Sequence, residues 1–314
     1  MKTPQQGWPE VITKMDWEQW LRQAVKRPSD YEDNKRERTE DQIRKALRAH
    51  APLRGRDFVV YSKGSYANNT NVRLDYDVDI AVEYRGHFYY DLEFDLKGQP
   101  ASSVGITPAK DLYPPAEFKR DIQNALEAAF GKTAVKPGNI AYRVRERKTT
   151  LPADVVPCWE YRRYDGVKAG EPYYHQGSRV FPTTGREINN YPAQQLENGT
   201  DKNLRTNKRY KRMVRALKRL QTHLIAQGLL SEGLPSYVIE CLVYNVPNDS
   251  FGNPSYKADM RGVLVSIFNE TRPSGNWNDW LEVNELKYLF RGQSWTREQV
   301  HKLADAAWDE IGFE

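Results

Sequence analysis

Sulfur chemistry is scarce: 314 residues carry two cysteines, Cys158 and Cys241. Two thiols cannot build a disulfide framework, and nothing around either has metal-ligand spacing. Both sit among apolar neighbours and read as small core side chains. No apolar run approaches the ~20 residues needed to cross a bilayer, and Met1 to Gln6 lacks the apolar core of a signal peptide. A cytoplasmic protein without a membrane partner is the expectation. Internal repeats and low-complexity tracts are absent. Charge of one sign is absent too: 47 basic residues face 42 acidic ones, a net charge of +5. That balance is compatible with phosphate-bearing ligands and low for a polynucleotide-binding surface, so no stable nucleic acid partner is expected.

What is present suits a globular chain with a polar surface, 28% charged and 39% hydrophobic. The length exceeds a usual single core, which predicts a bilobed molecule. Its first half mixes strand and helix signals and its second is mostly helical. The expected division is 1–200, a core with N-terminal helices, and 201–314, a helical lobe closing over it.

The chain centres on Gly64-Ser65, a polar run, and the alternating Asp75-Tyr76-Asp77-Val78-Asp79-Ile80. Strand geometry sends Asp75, Asp77 and Asp79 to one face and the apolar residues to the other. Carboxylates so crowded need neutralising, and hard oxygen donors suit Mg²⁺. A Gly-Ser turn lets the backbone approach a phosphate closely and adds a hydroxyl. The pattern points to a metal-dependent enzyme acting on nucleoside triphosphates.

In chain order, residues 16–49 read as helical with a break at Pro28-Ser29-Asp30, where Ser29 or Asp30 caps a second helix. Residues 57–62 read as a strand, as do the acidic stretch through Tyr84 and residues 86–94. Residues 114–130 form a helix, with Phe118, Ile122, Leu126 and Phe130 on one face and Gly131 as its stop. Strands follow at 141–147 and 151–159. Asp154 is the lone charge in the second of these, pairing with Arg145 or Arg147 on a purely structural reading. Residues 161–200, rich in Gly, Pro, Tyr and Asn, read as a long loop between lobes. Residues 203–227 are the clearest helix; Lys208, Lys211, Arg215 and Lys218 line one face, a density that favours phosphate binding. Further helices are expected at 234–245, 256–268 and 297–311.

Nucleotidyl transfer uses such a set. A sugar hydroxyl attacks an α-phosphate, and two metal ions stabilise the attacking and leaving oxygens. Asp77 and Asp79 would bridge two Mg²⁺ ions (Mn²⁺ being an alternative), and Asp154 would complete the site on the acceptor side. Gly64 and Ser65 would cradle the phosphates, and the basic helix would reach the triphosphate. Asp75 reads as a solvated bystander.

Gly64-Ser65, eleven intervening residues, Asp77-Val78-Asp79 and the later Asp154 resemble the polymerase-β nucleotidyltransferase superfamily. The eleven-residue gap is similar to that of animal cyclic GMP–AMP synthase. Ala153-Asp154-Val155-Val156-Pro157-Cys158, Arg162-Arg163-Tyr164, Asn189-Asn190-Tyr191-Pro192, Glu197-Asn198-Gly199, Arg209-Tyr210-Lys211-Arg212 and Leu234-Pro235-Ser236-Tyr237 resemble the bacterial cGAS/DncV-like nucleotidyltransferases, clade E in particular. The likeness runs from about Gly64 to Asn245.

It implies an α+β fold: a polymerase-β-like core of mixed sheet and helices, plus a C-terminal helical lobe of the oligoadenylate synthase and poly(A) polymerase type. It implies a template-independent synthase of cyclic di- or trinucleotides that activate an effector protein in anti-phage defence, and a monomer is expected. By the same resemblance Ser65 binds phosphate, Asp77, Asp79 and Asp154 are the metal triad, and Lys218 meets the donor triphosphate, with Lys211 and Arg215 one helical turn from that assignment or two. Ser236 is then a second phosphate contact and Tyr237 a base-stacking ring. No zinc-binding insertion is visible, which argues against DNA sensing. The alternatives are linear 2′-5′ oligonucleotide synthesis, RNA or protein modification, and a nucleotide-binding pseudoenzyme; three mutually repelling carboxylates argue against the last.

Overall fold

The computed structural model describes residues 15–27, 29–72, 77–110, 112–273 and 279–313. The N-terminal hexapeptide, Pro28 and Asp75 lie outside the described residues. Helices α1 (Trp17–Ala24) and α2 (Asp30–Ala49) open the chain, Ser29 and Glu32 forming a reciprocal capping box on α2. Strand β1 (Phe58–Ser62), the short helix α3 (Gly64–Ala67) and strand β2 (Val78–Leu92) follow. Next come α4 (Pro115–Phe130), β3 (Val135–Pro137), β4 (Tyr142–Val144), β5 (Ala153–Lys168), β6 (Glu171–Val180) and β7 (Ile188–Asn190). Helices α5 (Pro192–Arg205), α6 (Arg209–Ala226), α7 (Ser236–Asn245), α8 (Tyr256–Thr271) and α9 (Arg297–Ile311) complete the described chain.

The strands form one mixed sheet, ordered β1-β2-β5-β4-β3 with β6 and β7 continuing beside β5. Strands β2 and β5 are parallel and their other neighbours antiparallel. One face is covered by α2 and α4: Ile43, Leu47, Phe118, Ile122 and Leu126 pack on Val78, Ile80, Val82, Val155 and Trp159. Period-2 alternation sends Asp79, Ala81, Asp154, Val156 and Cys158 to the opposite face. There Ala81, Val156, Cys158 and Val180 make a smaller apolar patch. Burial pushes the Cys158 thiol up to about 12, so this cysteine is the inert core residue expected. Helices α6 to α9 bury a separate core, and α1 packs into it through Trp17, Leu21 and Ala24. The two opening helices therefore part company, α2 going to the sheet and α1 to the helical side.

Residues 161–200 are not the long loop expected. Strand β5 continues through Tyr164 to Lys168 and turns back into β6, with Lys168 opposite Glu171. The two-residue turn is Ala169 and Gly170, with φ of 51° and 85°, a left-handed pair that matches strand twist. Strands β6 and β7 and helix α5 account for most of the rest. From Val78 onward the acidic strand expected through Tyr84 and the strand expected at 86–94 are one strand, with a register shift between Tyr84 and Tyr89. The helix expected at 203–227 is two: Asn207 and Lys208 take φ of 49° and 63°, and Thr206 Oγ1 accepts the Tyr210 N–H across the break at 3.1 Å.

Candidate active site

The site is built on the open face, where the parallel register sets Asp79 directly beside Asp154. Neighbouring strands lie about 4.8 Å apart, so two carboxylates are forced together. Asp154 in turn stands opposite Arg143, and Arg143 opposite Lys136. One row across the sheet therefore reads Asp79, Asp154, Arg143, Lys136. On the other side of Asp79, the Lys63 N–H donates to the Asp79 carbonyl at 2.9 Å, carrying the chain into the Gly-Ser turn.

Gly64 has φ of 66°, and a Cβ there would lie 2.4 Å from Asp79 Oδ2. Glycine is thus required twice, for the left-handed turn and for the approach of the carboxylate. The Ser65 carbonyl accepts from the Thr70 N–H at 2.9 Å. A cleft of about 540 Å³ opens beside this turn, lined by Lys63, Gly64, Asn68, Glu83, Arg85 and Gln195 among others.

Asp77 immediately precedes β2, and its Oδ2 is 3.0 Å from Arg143 Nη2, while Arg143 Nε is 3.4 Å from Asp154 Oδ1. The partner of Asp154 is thus Arg143, not Arg145 or Arg147. Arg143 is in register across the strand pair, whereas Arg145 lies past the end of β4 and Arg147 turns to the Ala129 carbonyl. Among the described residues, no three carboxylate, imidazole or thiol groups yet converge as an ion-holding cluster. The donor chemistry fits a divalent cation and Asp79 and Asp154 are in place, but Asp77 is engaged by the arginine.

The basic face of α6 is directed inward. Lys218 Nζ donates to the Thr70 carbonyl at 3.0 Å, and Arg215 to the carbonyls of Val25 and Asn69. Lys211 Nζ reaches Thr200 Oγ1 at 3.5 Å. All three are buried. Burial, with Arg27, Arg219 and Arg212 nearby, pushes the Arg215 guanidinium down to about 10, and burial also lowers the Lys211 ammonium. Ser236 begins α7, which touches α3. The Tyr237 hydroxyl donates to Glu282 at 2.7 Å, and burial raises its pKa, keeping it protonated.

Sequence reasoning missed Glu240. This carboxylate, 2% exposed on α7, accepts from Asn68 Nδ2 at 3.0 Å, Thr70 Oγ1 at 2.8 Å and Gln195 Nε2 at 3.3 Å. With Lys218 and Arg215 it ties the segment after the Gly-Ser turn to the helical side. Its position four residues after Ser236, on the same helix face, was the available signal. Arg143 was missed for another reason: cross-strand register is not written in either strand alone.

A model of the cGAS/DncV-like nucleotidyltransferase C-terminal helical domain matches residues 197–312. A cyclic dipyrimidine nucleotide synthase CdnE of Cecembia lonarensis is 36% identical over 299 residues, covering 94% of this chain and 98% of that protein. The chain belongs to the cGAS/DncV-like nucleotidyltransferases. A cyclic dipurine nucleotide synthase of Elizabethkingia meningoseptica is 35% identical, across 90% of this chain and 94% of that one. Family members of near-equal identity thus differ in base. Among solved structures, the Rhodothermus marinus CdnE c-UMP-AMP synthase with Apcpp and Upnpp superposes with TM-score 0.80 at 29% identity, covering 93% of this chain and 95% of that one. The Elizabethkingia CdnE cyclic dinucleotide synthase with GTP and Apcpp gives 0.76 at 32%, with 94% and 99% covered. The mixed sheet with its helical C-terminal domain is the fold of this family. Among the described residues no helix is long and apolar enough to cross a membrane.

Proposed function

We propose that this protein joins nucleoside triphosphates into a cyclic di- or trinucleotide, releasing pyrophosphate at each bond. The observation that carries the reading is the register setting Asp79 beside Asp154, with Gly64 against the Asp79 carboxylate. The activities of the relatives support it, since each is a cyclic nucleotide synthase.

A sugar hydroxyl of one nucleotide attacks the α-phosphorus of another. The bond from that phosphorus to the bridging oxygen of the β-phosphate breaks, the hydroxyl proton is lost to solvent and pyrophosphate leaves; a second transfer closes a dinucleotide ring and a third a trinucleotide ring. Asp77, Asp79 and Asp154 would hold a pair of divalent cations, Mg²⁺ by their hard oxygen chemistry, which supplies charge stabilisation to the attacking and leaving oxygens. Asp79 adjoins the Gly-Ser turn and serves the donor phosphates, whose approach Gly64 leaves open and Ser65 meets with its hydroxyl. Asp154, one strand further from that turn, serves the acceptor hydroxyl. Lys218 and Arg215 act through the backbone carbonyls they hold, fixing the segment from Asn69 to Thr70 behind the turn, and Lys211 adds its charge beside them from Thr200. Ser236 borders the phosphate path, and the Tyr237 ring is the candidate base-stacking surface, tolerant of base identity. The division near residue 200, a cytoplasmic monomer and a product-activated effector in anti-phage signalling belong to this reading.

Radiolabelled product treated with phosphatase tests ring closure. A closed ring has no terminal phosphate, so all label from α-labelled NTPs is expected to stay in the product; release of the share held in a terminal phosphate would mean linear oligonucleotides.

A further inference from the structure

We infer that Arg143 is a stand-in cation for the metal site, holding Asp77 and Asp154 until divalent ions displace it. The inference rests on the metal reading of Asp77, Asp79 and Asp154 given above. One guanidinium reaches both carboxylates, through Nη2 to Asp77 at 3.0 Å and through Nε to Asp154 at 3.4 Å. It thereby supplies positive charge where parallel pairing has forced Asp79 and Asp154 together. Without it, Asp77 and Asp154 would lose this compensating charge whenever no ion is bound.

The same contact is incompatible with a loaded site. Asp77 is paired with the arginine, and among the described residues no three ligands converge as an ion-holding cluster. A dication between them would face the guanidinium at short range, so one cation leaves as the other enters. Arg143 is well placed to leave: its side chain is 61% exposed, and the next residue in its row is Lys136 rather than a carboxylate that would retain it. Exposed ion pairs are individually weak, which keeps displacement within reach of ordinary ion concentrations. Two such pairs set the size of the competition, roughly two- to tenfold in ion affinity.

The test compares the wild type with Arg143→Gln and Arg143→Lys in two measurements on the substrate-free protein. Mn²⁺ binding is read by electron paramagnetic resonance, and melting temperature is read in EDTA and in saturating Mn²⁺. Arg143→Gln is expected to bind Mn²⁺ roughly two- to tenfold more tightly. It should melt lower than wild type in EDTA, with most of that deficit recovered in Mn²⁺. Arg143→Lys, keeping the charge without the two-pronged fork, is expected to fall between, and it carries the test if the glutamine variant does not fold. An arginine that merely pins β4 to the strand beside it would give an equal melting deficit with and without Mn²⁺ and no gain in affinity, which overturns the inference. If instead the wild type binds Mn²⁺ no better than an Asp79→Asn, Asp154→Asn variant, the metal reading itself falls and takes the inference with it.

Discussion

Replacing Asp77 and Asp79 together by alanine is expected to abolish product formation, by ~10³-fold or more, while the protein stays folded. The activity loss follows from removing two of three ligands whose ions stabilise both oxygens of the displacement, a contribution of several kcal/mol. The fold should survive because neither side chain holds up a core. Both lie off the helix-covered face, where Val78, Ile80 and Val82 do the packing. Losing Asp79 also relieves its repulsion with Asp154, and the ion pair lost with Asp77 is half-exposed and contributes at most about 1 kcal/mol. Circular dichroism and a melting curve check the fold, and radiolabelled NTPs with Mg²⁺ check the activity. Synthesis persisting in the double variant would contradict the assignment of these carboxylates.

Glu240→Ala has the second large effect, and it acts at a distance from the phosphates. The carboxylate is buried and accepts from Asn68, Thr70 and Gln195. Truncation strands those donors where water has little access, at a cost of about 2–4 kcal/mol. The segment they hold follows directly on the Gly-Ser turn, so turnover is expected to fall with stability. Glu240→Gln discriminates between loss of charge and loss of the network. An amide oxygen at Oε1 still accepts from Asn68 and Gln195, and the Thr70 hydroxyl can rotate to accept from the new NH₂. Glutamine is therefore expected to restore most of the stability and turnover that alanine removes. Equal losses in the two variants would mean that the negative charge itself is needed, for instance to balance Lys211, whose ammonium it favours.

Legibility in the sequence followed the range of the interactions involved. Helix α9 was readable from its first residue to its last because its signals are local: Thr296 and Gln299 form a capping box and Gly312 ends the helix in a left-handed conformation. Asp79 and Asp154 were readable because a charge recurring in an apolar strand is anomalous wherever the strand lies. The β5–β6 hairpin was misread because its turn is Ala169-Gly170 rather than a commoner turn pair, and because Gly166, Pro172 and Gly177 punctuate strands that are continuous. The inward direction of Lys211, Arg215 and Lys218 was illegible for the opposite reason. Helix periodicity places them on one face but does not say that this face meets backbone carbonyls of Val25, Asn69 and Thr70, which lie far away in sequence. Arg143 and Glu240 belong with them, since each acts only through a partner on another element.

What the enzyme makes is the decisive observation. Incubating it with Mg²⁺ and each combination of the four NTPs, then weighing the products by mass spectrometry, is the most direct measurement. The expected product is two or three nucleoside monophosphate units at the mass of the closed ring, which lacks the triphosphate of a linear chain. Masses that correspond only to linear chains, or no nucleotide product under any combination, would contradict it.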